Sequence, residues 1–86
     1  MRSRPPVVTL YGRPGCHLCD EAREAIRALR PGIAPFELRE VDIDTDERLL
    51  RRYLERIPVV ELDGEIVSEL AFDPGRLQAS LDTLRQ

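Results

Sequence analysis

The 86-residue chain has no lysine and no asparagine. All 13 of its basic side chains are therefore arginine. GC-rich coding is the simplest source of that bias, because arginine-for-lysine replacement is not a general mark of adaptation to heat; it says little about function. A basic excess is missing as well: 16 acidic side chains outnumber the 13 basic ones, for a formal net charge of −3. That argues against nucleic acid as the main partner, since backbone binding needs clustered positive charge. Long apolar runs are also absent. After Met1 to Pro6 only a short apolar stretch precedes Gly12. It is too short for a secretory signal or a membrane span, so a cytoplasmic protein with no membrane partner is expected. No repeat, linker or low-complexity segment is visible, and 42% apolar residues suffice for one modest core. A single domain over residues 1–86 is expected. Histidine occurs once, at His17, and cysteine twice. Structural zinc takes four ligands, so Cys16, Cys19 and His17 make an incomplete site within one chain. A zinc ion or iron–sulfur cluster shared between two chains remains as a non-catalytic alternative.

What the chain does have is organised around those cysteines. Val7 to Tyr11 reads as a short buried strand ended by Gly12-Arg13-Pro14-Gly15. A helix is predicted from about Cys16 to Arg30, with Ala22, Ala25, Ile26 and Leu29 on one face and Arg30-Pro31-Gly32 as its stop. Phe36 to Val41 reads as a second strand. Asp44 with Glu47 three residues on resembles a capping box, so a helix should begin near Thr45 or Asp46. Leu50, Tyr53, Leu54 and Ile57 would form its apolar face until Pro58 breaks it. Val59 to Leu62, the turn Asp63-Gly64 and Glu65 to Ser68 read as a hairpin. Asp73-Pro74 then opens a last helix lined by Leu77, Leu81 and Leu84. The order β-α-β-α-β-β-α implies an α/β fold: one mixed four-stranded sheet with helices on both faces.

Cys16-His17-Leu18-Cys19 therefore falls at the end of a strand and the start of a helix. A cysteine at a helix N-cap faces unpaired backbone N–H groups and the positive end of the helix dipole, and both favour the thiolate. Comparable motifs lower a cysteine pKa from about 8.5 to between ~3.5 and ~7.5. The second cysteine lies most of a turn inside the helix, more buried and less ionised. Cys16 is thus expected to attack a disulfide, and Cys19 to resolve the mixed disulfide. So short a loop makes a poor structural staple, because the entropic gain of a cross-link shrinks with loop length.

Neighbouring residues carry weaker signals. A protonated His17 would favour the thiolate; equally, it is an exposed helix-start residue. Arg13 could stabilise the thiolate or hold a carboxylate of an anionic thiol, although arginine is common throughout this chain. Asp20 and Glu21 suit the helix dipole but oppose a Cys16 thiolate by like charge.

Gly12 to Cys19, then Val41-Asp42-Ile43-Asp44, then Ile57-Pro58-Val59-Val60, resembles the glutaredoxin branch of the thioredoxin fold, in its small bacterial glutaredoxin-like form. The resemblance spans about residues 7 to 84. It implies a thioredoxin-like fold, a thiol–disulfide oxidoreductase acting in cell redox homeostasis, and Cys16 and Cys19 as the catalytic pair. It implies Pro58 in the cis form shaping a substrate groove, with the Ile57 backbone pairing to substrate and Arg13, His17 and Leu18 beside it. No bound cofactor or metal is implied. Disulfide-containing proteins would be substrates, with glutathione or a thioredoxin reductase as electron source. This chain departs from the family between the cysteines, where His17-Leu18 replaces Pro-Tyr. It departs again after the hairpin, where Ser68-Glu69 stands for a Gly-Gly pair and Ala71-Phe72 for a Thr/Ser/Cys-Asp pair. Those positions grip glutathione in the family, and Glu69 adds negative charge where an anionic tripeptide would lie.

Overall fold

In a computed structural model, which describes residues 4–32 and 35–84, the apolar run becomes β1 (Val7–Gly12). Its central place explains its composition. β1 is flanked on one side by the parallel β2 (Glu37–Asp42) and on the other by the antiparallel β3 (Val59–Leu62). β4 (Glu65–Glu69) completes the sheet, in the order β2-β1-β3-β4. Alternate side chains of β1 face opposite ways. Val8 and Leu10 enter a core with Ala22 and Ile26 of α1 (His17–Leu29) and Leu77 and Leu81 of α3 (Pro74–Leu84). Tyr11 packs on the other face with Ile43, Val59 and Tyr53 of α2 (Glu47–Tyr53). Helices thus cover both faces, as the alternating pattern predicts. Ala22, Ile26 and Leu29 of α1 and Leu77 and Leu81 of α3 pack in this core as expected, whereas Ala25 is only half-buried and outside it and Leu84 is exposed.

The segment after β2 differs from its sequence reading. Asp44 caps nothing. A single 3-10 turn (Ile43–Thr45) intervenes, capped by Asp42, whose Oδ1 accepts the Asp44 N–H at 2.9 Å. Asp46 then caps α2 through the Arg48 N–H at 2.8 Å. The two caps, spaced by one 3-10 turn, let Ile43 reach full burial while α2 starts on a new axis. α2 is also shorter than expected. It ends at Tyr53, so Leu54 is exposed, and Ile57 joins the second core from the turn that follows. The Met1 to Pro6 reading lies partly outside the described residues. Among the described residues no helix is long and apolar enough to cross a membrane.

The hairpin forms as its Asp63-Gly64 turn predicts, with φ positive at both residues (50° and 89°). Two residues farther along, the register shifts: Val60 lies opposite Ser68, but Glu61 lies opposite Ile66. Val67 is thus the extra residue of a β-bulge, and consecutive side chains Val67 and Ser68 both turn inward. Ser68 Oγ is buried there without a hydrogen-bond partner. A buried hydroxyl left unpaired is destabilising. Ser68→Ala should therefore raise unfolding stability by about 1 kcal/mol, read as a higher urea midpoint at unchanged slope. A lower midpoint would mean that the hydroxyl has a partner, such as a buried water.

Candidate active site

The site grows from the end of β1. Gly12 is its last residue, and the chain turns through Arg13-Pro14-Gly15, with Gly15 at φ +81°. The Cys16 N–H donates to the Arg13 carbonyl at 3.2 Å, closing the turn. Cys16 is the N-cap of α1 in an extended conformation (φ −85°, ψ 106°), and its carbonyl accepts the Asp20 N–H at 3.1 Å. Its Sγ accepts the Cys19 N–H at 3.1 Å. A cap position that ordinarily takes a serine or aspartate oxygen is here filled by sulfur.

The cysteines are joined as a disulfide, with their Cα atoms 5.2 Å apart. They are unequal. Cys16 is half-buried, whereas Cys19 is only 1% exposed. Cys19 fits because Gly12 has no side chain: a Cβ there would lie 2.9 Å from Cys19 Sγ and 3.0 Å from its Cβ. Gly12 is thus a site residue that sequence reading took only as part of a turn. The Gly before the dithiol was visible, but not which atom it makes room for.

Pro58 follows a cis peptide bond from Ile57, as the family resemblance implied, and is fully buried. Tyr11 pairs with Val59 across β1 and β3, so continuing the register sets Pro58 opposite Gly12. The cis-proline and the dithiol therefore occupy the same end of the sheet. The next strand reaches this end too, since the Leu70 N–H donates to the Arg56 carbonyl at 2.9 Å. Ile57 is half-buried in the second core.

The other expected site residues are placed less directly. Arg13 points to β2's end, with Nε 3.2 Å from Asp44 Oδ1. Its charge is shared with that carboxylate before it serves a thiolate. The His17 side chain is 87% exposed, with Nε2 3.9 Å from Glu21 Oε1. Leu18, between the cysteines, is 51% exposed. On the α1–β2 side a cleft of about 250 Å³ is lined by Arg13, Cys19, Asp20, Arg23, Glu40 and Asp42 among others. Arg23 holds it in shape: it pairs with Glu40 and, at 2.8 Å, with Asp20. These contacts tie the dithiol helix to the edge strand. Among the described residues, no group of three or more His, Cys, Asp or Glu side chains is placed to hold a metal ion.

Behind the site, Tyr11 and Tyr53 donate to the two oxygens of Glu61, at 3.1 and 3.0 Å, with ring centroids 4.9 Å apart. Burial first, then the Glu61 charge and hydrogen bond, pushes Tyr11 from 10.0 up to about 12. Tyr53 is raised by burial and by its bond to Glu61. A phenol whose folded pKa exceeds its unfolded value contributes stability in full below the unfolded pKa and loses it as pH rises through the folded one. Stability should therefore decline between about pH 10 and 12, and Tyr11→Phe should flatten that decline. Urea midpoints measured across pH 8 to 12 check this; parallel wild-type and variant profiles would refute it.

Similarity to known proteins agrees with this geometry. Residues 7–82 match the family model described as "Glutaredoxin-like domain (DUF836)". The chain belongs to the glutaredoxin-like family. A glutaredoxin-like protein of Dictyostelium discoideum, the YDR286C homolog, is 28% identical over 82 residues, covering 90% of this chain and 76% of that protein. The solution structure of protein Ne2328 from Nitrosomonas europaea superposes with a TM-score of 0.78 at 32% identity, covering 93% of this chain and 95% of that one. A mutant thioredoxin from Halobacterium salinarum shares the fold, with a TM-score of 0.68 at 20% identity over 96% of this chain and 77% of its own. In this glutaredoxin-like protein, a thioredoxin-type fold with Cys16 and Cys19 at disulfide distance supports a redox-type function.

Proposed function

We propose that the protein is a dithiol reductant of disulfides in other proteins. The observation that carries this is Cys16 Sγ at the α1 N-cap, accepting the Cys19 N–H at 3.1 Å. A hydrogen-bond donor and a helix N-terminus aimed at one sulfur favour its thiolate. The Cys16 thiolate attacks one sulfur of a substrate disulfide. The substrate S–S bond breaks, a Cys16–substrate S–S bond forms, and the other substrate sulfur leaves as thiolate. Cys19, deprotonated as it attacks, then bonds to Cys16 Sγ and expels the second substrate thiolate. Two electrons pass from the dithiol to the substrate, leaving the Cys16–Cys19 disulfide. An external thiol, from glutathione or a thioredoxin reductase, returns it to the dithiol. Pro58 and the Ile57 backbone border the substrate at the β3 start. The exchange needs no bound cofactor or metal, and cytoplasmic residence suits a dithiol that must be kept reduced.

The test is equilibration in glutathione redox buffers, acid-quenched alkylation and intact mass. A reversible two-electron Cys16–Cys19 couple is expected. If no disulfide formed at any poise, the reductant reading would fail and a cluster or zinc shared between two chains would take its place. Colour and elution volume of fresh protein would report the cluster.

A further inference from the structure

A second cleft, of about 440 Å³, lies at the opposite edge of the sheet, between β4 and α3. Leu62, Ile66, Val67 and Leu84 give it an apolar lining, and Glu65 and Arg76 are among its charged side chains. Ile66 and Leu84, both large and apolar, are 40% and 36% exposed there. Most of this lining gathers at the Asp63-Gly64 turn, the opposite end of β3 from Pro58 and the dithiol.

The two edges of the sheet treat their charges differently. On β2, Glu37 pairs with Arg39 at 2.7 Å, and Glu40 pairs with Arg23. At the β4 edge, the Glu65 and Arg76 side chains line one cleft, yet neither makes an ion pair or a hydrogen bond among the described residues. Exposed apolar side chains flanked by unpaired charges of opposite sign fit a surface that meets a partner.

The placement of the two charges selects that partner. β4 runs from Glu65 to Glu69, and α3 turns back along it from Pro74. Leu84, at the end of α3, therefore shares the cleft with Glu65, at the start of β4. Arg76, in the first turn of α3, enters it from the other end. A two-fold axis through the middle of the cleft exchanges these ends. It sets Glu65 of one copy against Arg76 of the other, twice, with Ile66 and Leu84 of both copies between them. Such self-complementarity is what a two-fold interface requires. An added peptide strand fits less well, because the bulge at Val67 interrupts the β4 ladder and bulges of this kind block edge pairing. β4 and α3 are each about 17 Å long. A face of that length buries less than the roughly 1,200–2,000 Å² of stable complexes, so the association is weak and concentration-dependent.

We infer that this groove is a homodimer interface, in which two copies meet across α3 and β4 with Glu65 of each facing Arg76 of the other. The contact is independent of the dithiol exchange proposed above, since both dithiols stay open at the far end of the sheet. It is also distinct from a dimer bridged by a cluster or zinc, which needs Cys16 and Cys19.

The experiment is sedimentation equilibrium of the full-length protein in dithiothreitol and EDTA, from ~10 µM to ~1 mM, the range that reads weak association. The weight-average mass should climb from 9.8 kDa toward twice that value and level off. Arg76→Glu and Glu65→Arg each turn two attractions into repulsions, and each should weaken association at least about tenfold. The double variant exchanges the charges and should return association to within about threefold of wild type. Leu54→Gln, at an exposed leucine just after α2, should leave it unchanged. Thermal melts of dilute protein verify that each variant folds. A chain with both cysteines changed to serine should dimerise as wild type does. A monomer at every concentration, a mass that rises without levelling, a double variant as weak as the single ones, or loss of the dimer with the cysteines would each overturn the interface. Disulfide reduction per chain should be equal in the charge variants and wild type, so failure of the interface leaves the exchange reading standing.

Discussion

Cys16→Ser should lose disulfide reduction by at least about 10³-fold, the scale of deleting a covalent nucleophile. Its fold should survive. Serine is a good N-cap, so its Oγ can accept the Cys19 N–H that Cys16 Sγ accepts now. Stability in excess reductant should stay within about 0.5 kcal/mol of wild type. Cys19→Ser separates the two steps. Attack by Cys16 is retained, but nothing expels the product, so the mixed disulfide accumulates and intact mass rises by one substrate half. Turnover measurements with dithiothreitol as electron source, together with intact mass, check both variants. If Cys19→Ser left no adduct while Cys16→Ser trapped one, the roles of the cysteines would be reversed.

Gly12→Ala should do comparable damage to resolution without touching either sulfur. The added Cβ would lie 2.9 Å from Cys19 Sγ, a separation real Cβ atoms essentially never show. Neither neighbour yields easily. β1 is an inner strand, paired on both sides, and α1 is held by buried Ala22 and Ile26 and by the Arg23–Glu40 pair. Overpacking of this kind costs about 1–3 kcal/mol. Cys19 would shift relative to Cys16, and misplacement near 1 Å can slow a positioned reaction by about 10²-fold. Rapid-quench measurement of mixed-disulfide decay would read this directly, with a thermal melt for stability. Gly15→Ala provides the contrast: Gly15 has open space around it but φ +81°, so alanine there strains the backbone without approaching Cys19. It should lower the melting temperature, with mixed-disulfide decay much closer to wild type. Equal effects of both glycine variants on decay would show that backbone freedom, not clearance, is what Gly12 supplies.

Much of this protein was legible without coordinates, because local chemistry and periodicity set it. The 3.6-residue spacing of Ala22 and Ile26, and of Leu77 and Leu81, gives each helix one face that can only be buried. Asp63-Gly64 accepts two positive φ angles, and Asp73-Pro74 caps and opens α3; both are short-range signals that the fold did not override. The dithiol's place at a strand end and helix start followed from the same punctuation.

The tertiary structure decided what depends on partners distant in sequence. Three acids alternate at Asp42, Asp44 and Asp46, and the spacing to Glu47 pointed to Asp44 as the cap. Burial of Ile43 against Val59 and Tyr53 selects Asp42 and Asp46. Arg13 looked free for a thiolate until Asp44 was brought within 3.2 Å. Gly12 makes room for a sulfur seven residues on, a contact made only when α1 folds back over β1. Glu61 becomes the acceptor for two tyrosines because β1, β3 and α2 converge there. Leu70 reads as an ordinary apolar residue, yet the Arg56 carbonyl across the β3 approach holds it at positive φ and in solvent. A chain specifies its own turns and faces through neighbours a few residues away. Clearance, charge pairing and exposure at the site are set by residues that only packing brings together.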